Sequence, residues 1–386
     1  MQKVSVVGIG ATKVDEHWDL SLRELAGMAA LQALEDAEMN KVDALLIGNM
    51  MSGTANNQQH LGAYMTDWIG MPMNEGVRIE AACSSGASAF RSGLMMVASG
   101  DAQSVLVIGV EKMTDVLPHE ISSELATAAD ADWEMDQGIS FVGLNALIMQ
   151  RYMHEYGWEK RDFANFCINA HNNGIHNPHA RFQRKIDLNT YLNASEVAPP
   201  ISIMDASPIG DGAAAAVIVA EETRKQITGQ APIFVIGSTA ATDTIAVHDR
   251  KNPLWLLAAE TTAKQAYQQA GITPADIDFF EVHDAFSIMA ALSLEACGFA
   301  EKGQGVRVAL EGDIFPEGRI PIATRGGLKA RGHPVGATGM YQIVEAVQQL
   351  RGEAGKNQIP GALLGMTQNI GGSGSNIITH LFANQP

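Results

Sequence analysis

The sequence predicts an α/β protein built from two similar halves, with a longer helical insertion in the first. Three observations carry this. Apolar strands alternate with amphipathic helices from the N-terminus onward. A helix, loop and strand unit in the first half, AGMAALQALEDAEMNKVDALLIGN, returns in the second as TTAKQAYQQAGITPADIDFFEVHD, which is an internal repeat. The stretch from Thr114 to Pro200 breaks that rhythm with polar, helical pieces such as NALIMQRYMHEYGW. The halves are therefore placed at 1–230, including an inserted loop domain at about 114–200, and at 231–386.

Each element has its own signal. KVSVVGIG, Lys3 to Gly10, is a buried first strand. Its GIGAT ending is not a dinucleotide fingerprint, because Lys13 stands where the third glycine belongs and VDEHWDLS opens no helix for a pyrophosphate. Leu20 to Glu38 reads as an amphipathic helix with Leu22, Leu25, Met28, Ala29, Leu31 and Leu34 on one side, and Val42 to Gly48 as the next strand. SVLVIGVE, ending at Glu111, is a buried strand, and Ala213 to Ala220 is another that returns to the first sheet after the insertion. Prolines and the charged run EETRKQ flank that return. The second half repeats the order with strand FVIGSTA, helix Leu254 to Ala270, strand IDFFEVHDAF, the loop and helix from Gly332 to Leu350, and strand GALLGMT.

Composition excludes several classes. At 386 residues and 46% hydrophobic content the chain has enough material for a large core or two fused domains. Charged residues begin at Lys3, Lys13 and Asp15, so no cleavable leader is expected, and no apolar run approaches the roughly 20 residues of a membrane span. A cytoplasmic protein with no membrane contact is the expectation. Cys83, Cys167 and Cys297 are too few and too widely spaced for a disulfide framework or a four-thiolate zinc site. Forty-three acids against 26 bases, a formal charge of −17, argue against a nucleic-acid surface, so an anionic ligand has to meet a local basic patch.

The chemistry centres on EAACSSGASAFRSG. Cys83 sits where a loop of small residues turns into a helix; Ser84, Ser85, Gly86, Ala87 and Ser88 leave room for a bulky thioester, and the orphan N–H groups of the helix start favour a thiolate. The repeat sets the GHPVGATG loop at a related position in the second half, so Cys83 and His333 each open a helix near a shared axis. That pairing makes His333 the candidate base for Cys83. Cys167, His171, His176 and His179 match no familiar zinc spacing, and no metal is assigned. Arg181, Arg184 and Lys185 in the same segment suit either the phosphates of an anionic ligand or a solvated surface. The Met-rich pieces, such as MMVASG and MQRYM, are expected in core or tunnel wall.

With ACSSG at Cys83, HDAF at His283, GHPVGATG at His333 and the NIGGSG turn from Asn369, the chain resembles the thiolase superfamily from end to end. SLEACGFAEKGQG through GGLKARGHPVGATG to MTQNIGGSG looks most like archaeal-type acetyl-CoA acetyltransferases and sterol-carrier-type thiolases. The resemblance implies a five-layer αβαβα thiolase fold of two fused repeats, a loop domain covering coenzyme A, and a homodimer or homotetramer. It implies an acyl-CoA C-acetyltransferase: a ping-pong Claisen condensation of two acetyl-CoA molecules, or the reverse thiolysis of a 3-oxoacyl-CoA, through an acyl-cysteine. Coenzyme A thioesters are then substrates, with Arg181, Arg184 and Lys185 as candidates for their phosphates, and no cofactor is bound. The alternatives are a supporting subunit that binds acyl-CoA without turning it over, or another carbon–carbon reaction on the same fold. A small zinc-ribbon/OB-fold protein and a hydroxymethylglutaryl-CoA synthase are the partners implied.

The resemblance gives Cys83 the acyl group and places the acyl oxygen on the backbone N–H groups of Cys83 and Gly371. His283 and His333 are the donors available for the enolate oxygen. Many thiolases have a second cysteine where Asn369 stands, and sterol-carrier-type enzymes have one where Ala285 stands. Neither is present, which leaves Cys83 or His283 to take the α-proton.

Overall fold

The computed structural model describes residues 3–227 and 229–385. Its strands, in chain order, are β1 (Val4–Ala11), β2 (Ala44–Gly48), β3 (Glu75–Ile79), β4 (Ser104–Glu111), the short pair β5 (Glu196–Ala198) and β6 (Ile201–Ser202), β7 (Gly212–Ala220), β8 (Ile233–Thr242), β9 (Phe279–Glu281), β10 (Leu364–Gly371) and β11 (Asn376–Ala383). Nine of them form one sheet in the order β3-β2-β4-β7-β1-β8-β11-β10-β9. The halves meet where β1 pairs antiparallel with β8 through Ser5 with Phe234 and Val6 with Ile233. Outward from that junction the first half runs β1, β7, β4, β2 and the second runs β8, β11, β10, β9. In each, two antiparallel steps are followed by one parallel step. The internal repeat thus survives as an identical order and direction of strands.

Helices set the layers. Leu22–Asp36 covers β1, β4 and β7 on one face, and Leu257–Ala270 covers β8 and β11. Between the halves lie the two helices that follow the candidate loops, Ser85–Ser99 and Thr338–Arg351, packed on each other. The second of these touches both β10 and β7, so strands of both halves clasp one central helical layer, as a five-layer thiolase fold requires. β7, GAAAAVIVA, is buried along all nine residues, and its alanines let helices approach from both faces.

Local chemistry explains the starts and contacts. Ser21 caps the first helix with a reciprocal box: its hydroxyl accepts from the Glu24 N–H, and the Glu24 carboxylate accepts from the Ser21 N–H. Gly8 and Gly10 of the first strand serve packing, since a Cβ at either would lie 2.1 or 2.3 Å from the Ala33 or Ala29 carbonyl of that helix. The expected helix face needs correction. Met28 and Leu31 are 43% and 59% exposed, and the buried stripe is Leu22, Leu25, Ala26, Ala29, Ala30, Ala33 and Leu34, because small side chains let the helix sit down on the sheet. Met95 of MMVASG is exposed as well, whereas Met149 of MQRYM is fully buried. The strand around Phe279 is shorter than expected, so His283 stands two residues beyond its end. Among the described residues no helix is long and apolar enough to cross a membrane.

Candidate active site

Cys83 occupies a tight turn between β3 and its helix. Ala82 takes φ +50°, an uncommon value for a residue with a side chain, and the turn is held by Ser84 N–H to Ala81 O (3.0 Å) and Ser85 N–H to Ala82 O (3.1 Å). The serines that the sequence offers as open space are instead buried staples. The Ser84 and Ser85 hydroxyls donate to the Ala81 and Ala82 carbonyls, each at 2.6 Å. The thiol itself is 8% exposed and is pushed up to about 12 by burial first and by the Glu111 carboxylate next. This corrects the expected thiolate. The Gly372 N–H and the Cys83 N–H pull the other way, but burial outweighs them, so the resting group is a neutral thiol that needs a base.

His333 opens the matching loop of the second half. Its backbone N–H donates to Pro208 O, and its Nδ1 lies 2.7 Å from the Thr338 hydroxyl. That hydroxyl gives its own proton to the Pro334 carbonyl, so it accepts from Nδ1–H and the network assigns the lone pair of His333 to Nε2. Burial, then the Arg331 guanidinium, lowers His333 to about 3, which keeps the ring neutral. His283 is held differently. Its Nδ1 is 2.9 Å from the Asn369 side-chain nitrogen, an N–H donor, so the proton of a neutral His283 sits on Nε2. Burial, the neighbouring His333 and Arg331 hold it well below the usual histidine range. The two rings meet edge to face, 5.1 Å apart at 86°.

Cys83, His283, His333 and Gly372 line one cavity of about 620 Å³, whose walls are otherwise mostly apolar, with Ile121, Leu125, Phe141, Phe286 and Met289 among them. Gly371 is one residue short of the lining. Gly372 presents its N–H to the thiol, while Gly371 keeps the β10 end close to the Cys83 turn, since a Cβ there would lie 2.6 Å from the Ala81 carbonyl. Glu111 ties the loop at residues 49–51, which follows β2, to the His333 loop. Its Oε1 accepts from Asn49 Nδ2 and Met51 N, and its Oε2 from Met50 N and Gly336 N, at 2.9 to 3.0 Å. Burial nevertheless pushes its carboxyl up to about 7. Sequence reading missed Glu111, Thr338 and Gly372; the one available signal was an acid closing an otherwise apolar strand.

The remaining candidates lie outside the cavity lining. Arg181 pairs with Glu16 at 2.5 Å, and both it and Arg184 stand over the Phe182 ring at 5.7 and 5.6 Å. Arg184 and Lys185 are exposed. The Cys167 thiol donates to Met204 O at 2.8 Å and His171 Nδ1 to Arg184 O at 3.2 Å, so both are engaged by backbone. Among the described residues no group of three acidic, histidine or cysteine side chains is arranged to hold a metal ion.

A buried thiol and two imidazoles on one cavity, set in a two-repeat α/β scaffold, match an acyl-transfer enzyme of the thiolase type. The sequence agrees: residues 4–222 match the thiolase N-terminal domain and residues 239–384 the thiolase C-terminal domain-like family, and the chain belongs to the thiolase family. It is an acyltransferase. It is 43% identical over 385 residues to the acetyl-CoA acetyltransferase of Methanothermobacter thermautotrophicus, covering 99% of this chain and 100% of that one. Human sterol carrier protein 2 is 30% identical over 398 residues, which cover 98% of this chain and 72% of that protein. Among solved structures, the Ltp2-ChsH2(DUF35) aldolase superposes with a TM-score of 0.87 at 23% identity, covering 99% of this chain and 98% of that one, a likeness of fold.

Proposed function

We propose that the chain is an acyl-CoA C-acetyltransferase that works by a ping-pong route through an acyl-Cys83 intermediate. The observation that carries this is the arrangement of Cys83 and His333 on one cavity, with the histidine's Nδ1 tied back to Thr338 and its Nε2 lone pair left for a proton. His333 Nε2 takes the thiol proton as Cys83 attacks the thioester carbonyl. The Gly372 and Cys83 N–H groups stabilise the oxyanion, and collapse expels the coenzyme A thiolate, which leaves with the proton from His333. A second acetyl-CoA then accepts the acetyl group through its α-carbon, giving acetoacetyl-CoA; thiolysis is the same path reversed. The name of the Methanothermobacter thermautotrophicus relative, an acetyl-CoA acetyltransferase, supports this substrate. An accessory protein belongs to the same reading, since one structural relative carries a second component, ChsH2(DUF35), in its name.

Mass spectrometry of the protein mixed with acetyl-CoA tests the proposal. One acetyl group is expected on the peptide that contains Cys83, and none on a Cys83→Ala variant. An acetyl group on Cys167 or Cys297, or no adduct at all, contradicts it.

A further inference from the structure

We infer that His333 is the base of both half-reactions, and that Asn369 brings this about by holding His283 as a pure hydrogen-bond donor. The inference rests on the acyl-Cys83 reading and deepens it. When the second thioester must lose its α-proton, Cys83 is already acylated and offers no thiolate. Cys167 and Cys297 do not line the cavity; the first donates to Met204 O and the second to Gln368 Oε1. Glu111 does not line it either, and its two oxygens accept four donors. Two imidazoles remain.

Their hydrogen bonds separate them. On His283 the Nδ1 lone pair is occupied by the Asn369 N–H and Nε2 carries the proton, so the ring has nothing left to accept an α-proton. On His333 the Nδ1–H is spent on Thr338 and Nε2 holds a lone pair. The Asn369 amide has a defined orientation. Its Oδ1 is buried without a partner beside Gly339 of the His333 helix, where a Cβ would come within 2.6 Å. Reversing the amide would bury unpaired N–H donors there, which native structures tolerate less than an under-satisfied carbonyl.

The step balances without further groups. His333 Nε2 takes the α-proton, the C–H electron pair becomes the enolate, and His283 Nε2–H donates to its oxygen. The enolate carbon bonds to the acetyl carbonyl, the C–S bond to Cys83 breaks, and the departing thiolate recovers the proton from the His333 imidazolium. Asn369 is a positioning residue in this scheme. It occupies the place of a second cysteine but supplies no acid or base.

Exchange of acetyl-CoA methyl protons in heavy water, measured with Cys83→Ala protein, tests this apart from the acyl-enzyme, because that variant forms none. Exchange is expected to persist in Cys83→Ala and to fall about 10²- to 10⁴-fold when His333→Gln is added. Adding His283→Ala is expected to slow it about 10²- to 10³-fold through loss of one oxyanion donor. No exchange in Cys83→Ala would give the α-proton to the thiol, and exchange indifferent to His333→Gln would give it to another base; either overturns the inference. Nitrogen-15 NMR of histidine-labelled protein supplies a second readout. His283 is expected to carry its proton on Nε2 in the parent chain and on Nδ1 in Asn369→Asp, with exchange lowered more than Cys83 acylation. A parent His283 protonated on Nδ1 also overturns it.

Discussion

The Cys83 turn and the His333 loop occupy matching places in the two halves, and they are held in opposite ways. The His333 side chain is fixed by its own helix: Thr338, the first residue of Thr338–Arg351, accepts a hydrogen bond from Nδ1–H across a short 3₁₀ turn. Cys83 stands two residues before its helix, whose first residue, Ser85, staples only the backbone of the turn, and the N–H groups that reach its thiol are its own and that of Gly372 in the other half. The halves are also joined beside His333, because Glu111 at the end of β4 accepts the Gly336 N–H. Duplication gave two equivalent helix starts. Chemistry came from making them unequal and from letting each half complete the other.

The sharpest way to break this comparison is to remove the proposed base. His333→Ala is expected to slow acylation of Cys83 by about 10²- to 10⁴-fold in a single-turnover measurement with acetyl-CoA. Unchanged acylation would mean that the thiol is activated from its own half. A smaller effect is expected from Thr338→Val, which leaves the ring in place and strips Nδ1–H of its acceptor. Leaving one buried donor of this kind unpaired costs about 1 to 3 kcal/mol, so acylation should slow about 10- to 100-fold, and any loss of stability in denaturant unfolding should stay within that range. A large loss of stability with normal acylation would make Thr338 a structural residue.

Glu111→Gln probes the tie between the loop after β2 and the His333 loop and should act on stability. A glutamine keeps one oxygen for two of the four donors and turns an NH₂ toward the other two, at a cost of about 2 to 3 kcal/mol in denaturant unfolding. The pH dependence has a definite sign. The folded value of Glu111, about 7, lies above the ordinary 4.5. Between the two, the unfolded chain has lost a proton that the native chain keeps. The contribution of Glu111 is therefore present in full below about 4.5 and is lost as pH rises through about 7. The deficit of Glu111→Gln should accordingly narrow from pH 5 toward 7; a deficit that widens would show that the four donors, not burial, set the charge.

Much of this was legible in one dimension. β1, β4 and β7 are continuous apolar or small-residue runs, Ser21 and Glu24 mark a helix start, and the repeat was readable as helix, loop and strand in the same order twice. That Cys83 and His333 would come to one cavity was legible for the same reason, since each sits in a small-residue loop that opens a helix. Met28 and Leu31 were misplaced because hydrophobicity alone cannot say which side of a helix the sheet will take when alanines pack as well as leucines. Charge alone left Arg181, Arg184 and Lys185 between a phosphate site and a solvated surface, and the fold sets Arg181 against Glu16 and Phe182 while Arg184 and Lys185 stay exposed.

By itself, then, the sequence determined the order of strands and helices and its repetition in the two halves, which depend on neighbours within a few residues, and it put Cys83, His283 and His333 forward as candidates. Tertiary structure decided their protonation. The thiol is neutral because burial and Glu111 outweigh the N–H groups around it. His333 keeps its lone pair on Nε2 through Thr338, five residues away, but His283 is set by Asn369, 86 residues away on another strand. A proton's place on a ring follows the single nearest hydrogen-bond partner. No periodicity in the chain records which partner a fold will bring within 3 Å.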